Sequence, residues 1–404
     1  MRRILSSIVL PLIVLSLPPL FAYGSISYEP SGSCAGCHAD IYSSWKGSRH
    51  AASLVNPLFR KSLEEIRQGE PGSGGKCLFC HEPSSTVPEA PLRAKGTPRE
   101  GVTCDFCHTV YAARISDQFP RFLNRPGTKR GPLEGAKSTH HGAACWPLIQ
   151  DAKLCAGCHE LNNPHNVGIL TTGSEWRESV YREEGVQCQN CHFLKPYREV
   201  TLLRKKLAAD EPPDHGVRGG HVPMFLEEAF RMSGYIVALD DSACVELEIL
   251  NDMGGHKLPT GMPTHRMILK ARLFDERGFI LGEREMTFAR VLGDQTGAPL
   301  DSPEDMFLRA TRVLSDNRFA PKEKRKISIA FPLEKERERM FATVSLSYEL
   351  PSKTNIPGTE TIGFKNIIIP HKIWQFPTGR LLALSIIILA ALIVYVAFRR
   401  AKLL

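Results

Sequence analysis

The chain has 404 residues, enough for two or three domains, and its 42% hydrophobic and 23% charged content is ordinary for a folded protein. The net charge of +8 comes with no basic patch interleaved with aromatics, which argues against a nucleic-acid partner. What departs from the ordinary is 12 cysteines and 14 histidines, most of them before residue 222.

Residues 1–24 read as a signal peptide. Arg2 and Arg3 form a basic start, Ile4 to Leu20 an apolar run, and Ala22 and Gly24 a small-residue cleavage region. Pro18 and Pro19 break a helix there, which favours cleavage. An uncleaved signal anchor is the other reading, and both put the following residues outside the cytoplasm.

Residues 30–235 hold five CxxCH motifs and little sustained helical or strand periodicity. The motifs are Cys34/Cys37/His38, Cys77/Cys80/His81, Cys104/Cys107/His108, Cys155/Cys158/His159 and Cys188/Cys191/His192. Two thiols three positions apart reach the two vinyl groups of one porphyrin, and the adjacent imidazole then lies under the iron. Chance would give on the order of a hundredth of such a motif in a chain of this composition. Zinc sites do not need a histidine after each pair, and five identical units are not a disulfide framework. The expectation is a pentahaem domain with five covalently attached haem c groups. Ten cysteines serve as thioether partners, each pair for its own haem, and His38, His81, His108, His159 and His192 as proximal iron ligands. Cys145 and Cys244 remain, read as two buried thiols, with a disulfide between them unsupported.

The region repeats internally. Cys34-Ala35-Gly36-Cys37-His38 recurs as Cys155-Ala156-Gly157-Cys158-His159. Trp45, Ser48 and His50 match Trp176, Ser179 and Tyr181, and Glu100-Gly101-Val102-Thr103-Cys104 matches Glu184-Gly185-Val186-Gln187-Cys188. A carrier that closes both faces of each iron needs five more ligands, most plausibly histidines. His50 ranks first, from its place in the repeated frame. His256 follows, in the tight loop Gly254-Gly255-His256-Lys257-Leu258-Pro259-Thr260-Gly261. His141 (or its neighbour His140), His165 and His221 complete the candidate distal set. Tyr181 stands where the first copy has His50. Either a histidine from elsewhere fills that face and Tyr181 packs, which is preferred, or one haem is open.

Residues 236–350 alternate apolar and polar side chains, as in Val245-Glu246-Leu247-Glu248-Ile249, with turn signals such as Asp275-Glu276-Arg277-Gly278 between runs. Short alternating strands predict an antiparallel β-sandwich-like domain, with a structural or docking role preferred over catalysis. Residues 351–380 read as a linker. The uncharged run Leu381 to Phe398 reads as one transmembrane helix, and the tail 399–404, with Arg399, Arg400 and Lys402, as cytoplasmic. The body would then face the periplasm. Without both termini the charge of +8 falls to +3. Five ferric haems with two propionates each bring the body to about −2.

The segments CAGCHADIYSSWKGSRHA, EGVTCDFCH, CAGCHE and EGVQCQNCH resemble the cytochrome c-554 group of multihaem cytochromes over roughly residues 30 to 200. The resemblance implies closely stacked haem pairs, electron passage along a chain of irons, and His50 at the distal position after the first motif. This chain differs from the group's four motifs by having five, and by the β-domain and the C-terminal anchor. None of its motifs ends in lysine, unlike the active-site CxxCK of pentahaem nitrite reductase, which lowers an enzymatic reading. No residue is therefore assigned as catalytic. The expected role is electron transfer between redox proteins, such as other cytochromes or a quinol-oxidising membrane module. The alternatives are an enzyme of nitrogen or sulfur oxyanion chemistry with one open haem, or a cytochrome subunit of a larger membrane complex.

Overall fold

The structure, a computed structural model, describes residues 28–69, 74–85, 100–114, 121–194, 213–334, 339–351 and 359–370. The signal, the membrane run and the tail expected from sequence lie outside these residues. No helix among the described residues is long and apolar enough to cross a membrane.

The N-terminal part is built from short helices: α1 (Ala39–Lys46), α2 (Pro57–Gly69), α3 (Gly74–His81), α4 (Cys104–Thr109), α5 (Ala152–Ala156), α6 (Thr172–Arg177), α7 (Val180–Glu183) and α8 (Cys188–His192). Three two-stranded ladders sit among them. Val110–Arg114 (β1) pairs with Arg121–Asn124 (β2), Thr128–Gly131 (β3) with Gly142–Cys145 (β4), and Leu161–Asn162 (β5) with Gly168–Leu170 (β6). Apolar clusters among the described residues here are small. One gathers Tyr28, Phe106 and Val110, with Cys107, Phe122, Leu148 and Leu154 against it. So little apolar packing matches a region whose largest apolar bodies would be the cofactors its motifs attach.

The repeat is visible as hydrogen bonds. Trp45 Nε1–H donates to the Val102 carbonyl at 2.8 Å, and Trp176 Nε1–H to the Val186 carbonyl at 2.9 Å. The Val102 amide returns to the His50 carbonyl at 2.9 Å, and the Val186 amide to that of Tyr181 at 2.8 Å. Only glycine fits before Val102, because a Cβ on Gly101 would overlap the His50 carbonyl oxygen.

Helix α9 (Pro223–Ala229) leads into the β-rich part. Its strands are β7 (Phe230–Ala238), β8 (Ser242–Asn251), β9 (Arg266–Asp275), β10 (Ile280–Phe288), β11 (Arg290–Gly293), β12 (Arg312–Asp316), β13 (Lys324–Pro332), β14 (Met340–Pro351) and β15 (Thr359–Pro370), with α10 (Pro303–Arg309) after β11. One sheet runs β10-β9-β14-β15 and a second β13-β8-β7, and every pairing in them is antiparallel. The period-two pattern sets which face is inward. Ala243, Val245, Leu247 and Ile249 of β8 face Met267, Leu269, Ala271 and Leu273 of β9 and Ala342, Val344, Leu346 and Leu350 of β14 in one core. Turn chemistry closes the β9–β10 hairpin: Asp275 Oδ1 accepts the amides of Arg277 and Phe279, and Gly278 takes φ +86°.

Two boundaries differ from the sequence reading. The first strand starts at Phe230, before 236, because Phe230 and Ile236 are both core residues. Residues 359–370, read as linker, form β15, whose Phe364 and Ile369 are buried. The strand pairs with β14 from Phe341↔Pro370 to Pro351↔Thr359.

Candidate haem-binding sites

Each motif is wound into one helical turn. The His38 amide donates to the Cys34 carbonyl at 2.9 Å, and the His159 amide to that of Cys155 at 3.0 Å. Such a turn puts positions i, i+3 and i+4 on one side, so two thiols and an imidazole address the same space. Caps start these turns: Thr103 Oγ1 accepts the Phe106 amide at 3.1 Å, and Asp151 Oδ1 that of Lys153 at 2.8 Å.

Three motif histidines face a second imidazole. Ring centres are 6.3 Å apart for His50 and His159, 6.3 Å for His108 and His215, and 6.2 Å for His192 and His256. An imidazole nitrogen binds a metal at about 2 Å and the ring centre lies about 1.1 Å behind it, so two imidazoles on opposite faces of one iron have centres about 6.3 Å apart. The observed spacings match that sum.

The outer nitrogens are fixed as a ligand requires. His108 Nδ1 bonds the Arg130 carbonyl at 2.6 Å, His215 Nδ1 that of Pro213 at 2.9 Å, His256 Nδ1 that of Lys257 at 2.9 Å, and His192 Nδ1 that of Arg218. A carbonyl can only accept, so Nδ1 carries the hydrogen and Nε2 keeps its lone pair for a metal. Loss of surrounding water pushes His159 and His192 down to about 4, which keeps these imidazoles neutral. Spacing, tautomer and neutrality together fit haem iron.

The other two motifs differ. His81 lies face to face on Phe59, with ring centres 3.7 Å apart, and its Nδ1 bonds the Ser53 carbonyl at 3.2 Å. His38 and Cys37 are exposed. Among the described residues no second imidazole lies at the 6.3 Å spacing from either histidine.

Thiols of neighbouring motifs also meet: the Cys80 thiol of motif 2 lies within hydrogen-bonding reach of the Cys158 thiol of motif 4. Cys34 likewise meets Cys104, and Cys155 meets Cys188. The helical turns of neighbouring motifs abut, and a thiol withdrawn from water finds its weak hydrogen bond at the nearest sulfur. Burial and this contact together push the Cys158 thiol well up. Cys80 and Cys158 are both free thiols, so the contact is not a disulfide.

The five sites adjoin. Ser31 Oγ, beside motif 1, accepts the Cys104 amide of motif 3 at 3.4 Å. Motifs 3 and 4 share the cluster of Phe106, Cys107, Phe122 and Leu154, and Phe122 fills the space a side chain on Gly157 would need. Ser53 Oγ donates to the His81 and His50 carbonyls at 2.9 Å each, joining motif 2 to the residue opposite His159 of motif 4, where Cys80 and Cys158 also meet. Gln187 Oε1 accepts the Ala152 amide at 2.9 Å, and Gln189 Nε2 donates to the Ile149 and Asp151 carbonyls at 3.1 Å, joining motif 5 to motif 4. Motif 4 therefore touches motifs 2, 3 and 5.

Residues 33–109 match the family profile described as cytochrome c554 and c-prime. The crystal structure of a penta-heme cytochrome c552 from Thermochromatium tepidum superposes with a TM-score of 0.66 at 23% identity, covering 85% of this chain and 99% of that one. Over residues 33–109 the sequence is thus similar to cytochrome c554, and the fold resembles that of a penta-heme cytochrome. Two further structures reach only a TM-score of 0.18: a glycosyl hydrolase family 2 member from Bacteroides cellulosilyticus (14% identity, 34% of this chain, 14% of that one) and the putative ApaA protein from Bordetella pertussis (11% identity, 36% and 93%). No curated protein matches the sequence. The chain thus combines a cytochrome-like N-terminal region with a sheet-rich antiparallel C-terminal domain.

The remaining candidate histidines sit elsewhere. His165 is exposed and its Nε2 bonds the Leu308 carbonyl at 3.1 Å. His141 Nδ1 bonds the carbonyl of its neighbour Gly142 at 3.0 Å, and His140 is exposed. His221 Nδ1 meets Arg49 at 3.2 Å, in a groove between α1 and residues 213–222 that Asp40, Ser44 and Asp214 also line. Cys145 is exposed and Cys244 half-buried, and both are free thiols, so they are neither a disulfide nor two buried thiols. Sequence reasoning passed over His215. Its loop, Asp214-His215-Gly216, carries no repeat signal and no local cue in the sequence.

Proposed function

We propose that this cytochrome carries electrons through five haem c groups. Each would be attached by one CxxCH cysteine pair: Cys34 and Cys37, Cys77 and Cys80, Cys104 and Cys107, Cys155 and Cys158, Cys188 and Cys191. His38, His81, His108, His159 and His192 are the proximal ligands. His50, His215 and His256 are the distal ligands opposite His159, His108 and His192. The observation that carries this reading is the set of imidazole pairs at 6.2–6.3 Å. Covalently bound haem supplies one-electron redox chemistry. The chain's part is to close both iron faces at three sites, hold the imidazoles neutral and crowd the motifs together. Motif 4, with three neighbouring motifs, is the junction of the route.

The body is periplasmic and the run Leu381 to Phe398 anchors it, with Arg399, Arg400 and Lys402 on the cytoplasmic side. This anchoring keeps the cytochrome beside a membrane-bound donor or acceptor and raises its effective concentration there. A pyridine haemochrome assay on the detergent-solubilised protein, with EPR on the same sample, should count five haems and at least three low-spin bis-imidazole irons. Fewer than five haems, or fewer than three such irons, would sink the reading.

A second reading is favoured by one observation: His81 packs on Phe59 with no second imidazole opposite among the described residues. An iron open on one face there would bind small ligands, as in an enzyme of nitrogen or sulfur oxyanions. Binding of CO to the reduced protein, or of nitrite to the oxidised one, distinguishes the two.

A further inference from the structure

We propose that the ion pair Arg318–Glu175 is a clamp that positions His256 at the motif 5 iron. The inference rests on His256 being that distal ligand. Glu175 belongs to α6, between motifs 4 and 5, whereas Arg318 follows β12 in the β-rich part. Their side chains are only 6% and 5% exposed and meet at 2.8 Å. Each then holds the loop that carries His256. Arg318 Nη1 donates to the Pro259 carbonyl at 3.1 Å, and Thr260 Oγ1 donates to Glu175 Oε2 at 3.0 Å. Arg318 also grips Asp316 through Nε at 2.8 Å and Nη2 at 2.9 Å, and Asp316 in turn holds Lys257 at 2.9 Å. Thr172 of α6 meets the Thr260 hydroxyl at 2.8 Å. Lys257, Pro259 and Thr260, the residues just after His256, are thus each tied to one charged cluster. On the near side, Asn251 Nδ2 donates to the His256 carbonyl at 3.3 Å, and Asn251 Oδ1 accepts the Gly254 amide at 3.0 Å.

Stability alone gives no reason for this arrangement. Buried ion pairs are often no better than apolar residues of the same volume, because both charges must leave water. What charges offer here is direction. A guanidinium has a rigid fork and a carboxylate has two oxygens, so the pair fixes the angle between α6 and the loop in a way that apolar contact does not. Angle matters at a ligand. The His256 and His192 rings lie within 12° of parallel with centres 6.2 Å apart, and a tilt or retreat of the loop would lengthen the second axial bond.

The test uses the full-length, haem-loaded protein. His256→Gly is the reference: it should turn one haem high spin, and added imidazole should return that haem to low spin. Glu175→Gln, Arg318→Gln and the double variant should alter the EPR g-values and reduction potential of the same haem, leaving the others unchanged, with up to one haem's worth of high-spin signal. Thr260→Val removes one tie without stranding a charge. It should move the same haem by less, and it provides the readout if an Arg318 variant fails to fold. If His256→Gly leaves every haem low spin, the ligand assignment falls. If His256→Gly opens a haem but the clamp variants, Thr260→Val included, leave that haem at wild-type g-values and potential, the clamp is refuted and the assignment stands. A lowered melting temperature with that haem's spectrum unchanged would show the pair to be mere glue, and refutes it equally.

Discussion

His215→Gly is the sharpest test of the axial geometry, because nothing local in the sequence marks this residue as a ligand. His215 faces His108 at 6.3 Å between ring centres, and Pro213 and Arg130 hold the two outer nitrogens. Removing the ring leaves the iron held by His108 alone, so about one fifth of the total iron should become high spin in a five-haem protein. The fold should survive. The main packing partner of the His215 ring is Phe193, edge-on at 5.4 Å, and a contact of that kind is worth about 0.5–1.5 kcal/mol. Domains of this size lose about 2–4 °C of melting temperature per kcal/mol, so the drop should stay under about 6 °C. The assay is quantitative EPR of the oxidised protein, with imidazole added back to restore the low-spin signal. His165→Ala serves as control, since that imidazole bonds the Leu308 carbonyl. A low-spin count unchanged in His215→Gly would show that the 6.3 Å pairing has nothing to do with iron.

Three further outcomes concern stability. Phe319 is fully buried between Phe230 and Phe288, so Phe319→Ala should cost about 3–5 kcal/mol in urea unfolding. Asn163 is buried and donates to the Ala310 carbonyl at 2.7 Å across the two parts of the molecule, so Asn163→Ala should cost about 1–3 kcal/mol by the same measurement. For Asp316, burial pushes the carboxyl up, but the hydrogen bonds from Arg318 and Lys257 more than reverse this and leave it well below the usual carboxylate range. A depressed folded-state value means its stabilisation is present above the unfolded value of about 3.9 and is lost as pH falls below it. The stability gap between wild type and Asp316→Asn should therefore close on acidification through pH 4 and below, and a gap that widens there would contradict the sign.

What the sequence made legible was whatever is encoded locally. A CxxCH motif is one helical turn, so Cys155, Cys158 and His159 announce themselves. The alternation in β8 needs only its own residues, and the Gly278 turn only four. Contacts between motifs are not local: Cys80 and Cys158 are 78 positions apart in the chain, and only the packing of their helical turns brings the two thiols together. The axial partners are the same kind of case. His215 sits in a loop and His108 in α4, and their pairing is fixed by the Arg130 and Pro213 carbonyls, which no spacing rule connects. His165 looked equally suitable in sequence, but Asn163 Oδ1 holds its amide at 3.1 Å and its ring turns to Leu308. Strand β15 was passed over because Ile367-Ile368-Ile369 is a short apolar run ending at Pro370, with no alternation of its own. Its register comes from β14, whose side of the pairing alternates clearly.

The role of Tyr181 links the repeat to the β-rich part. In the first copy, the residue whose carbonyl takes the Val102 amide is His50, and its ring faces His159. In the second copy the equivalent residue is Tyr181, whose carbonyl takes the Val186 amide. A phenol has no basic nitrogen to offer, and this one donates instead to the Asp252 carbonyl at 2.5 Å, while the Lys322 ammonium sits 5.2 Å from its ring centre. Asp252 opens the loop that carries His256, and Gly255 of that loop packs against Tyr181 and Trp176. The substitution therefore exchanges a direct contact for a seat: Tyr181 anchors the loop, and the loop brings an imidazole to His192. The β-rich part is then more than a docking surface, because motif 5 lacks its second imidazole without it. A shift of this part against α6 and α7 would disturb the His192–His256 pair before the other two.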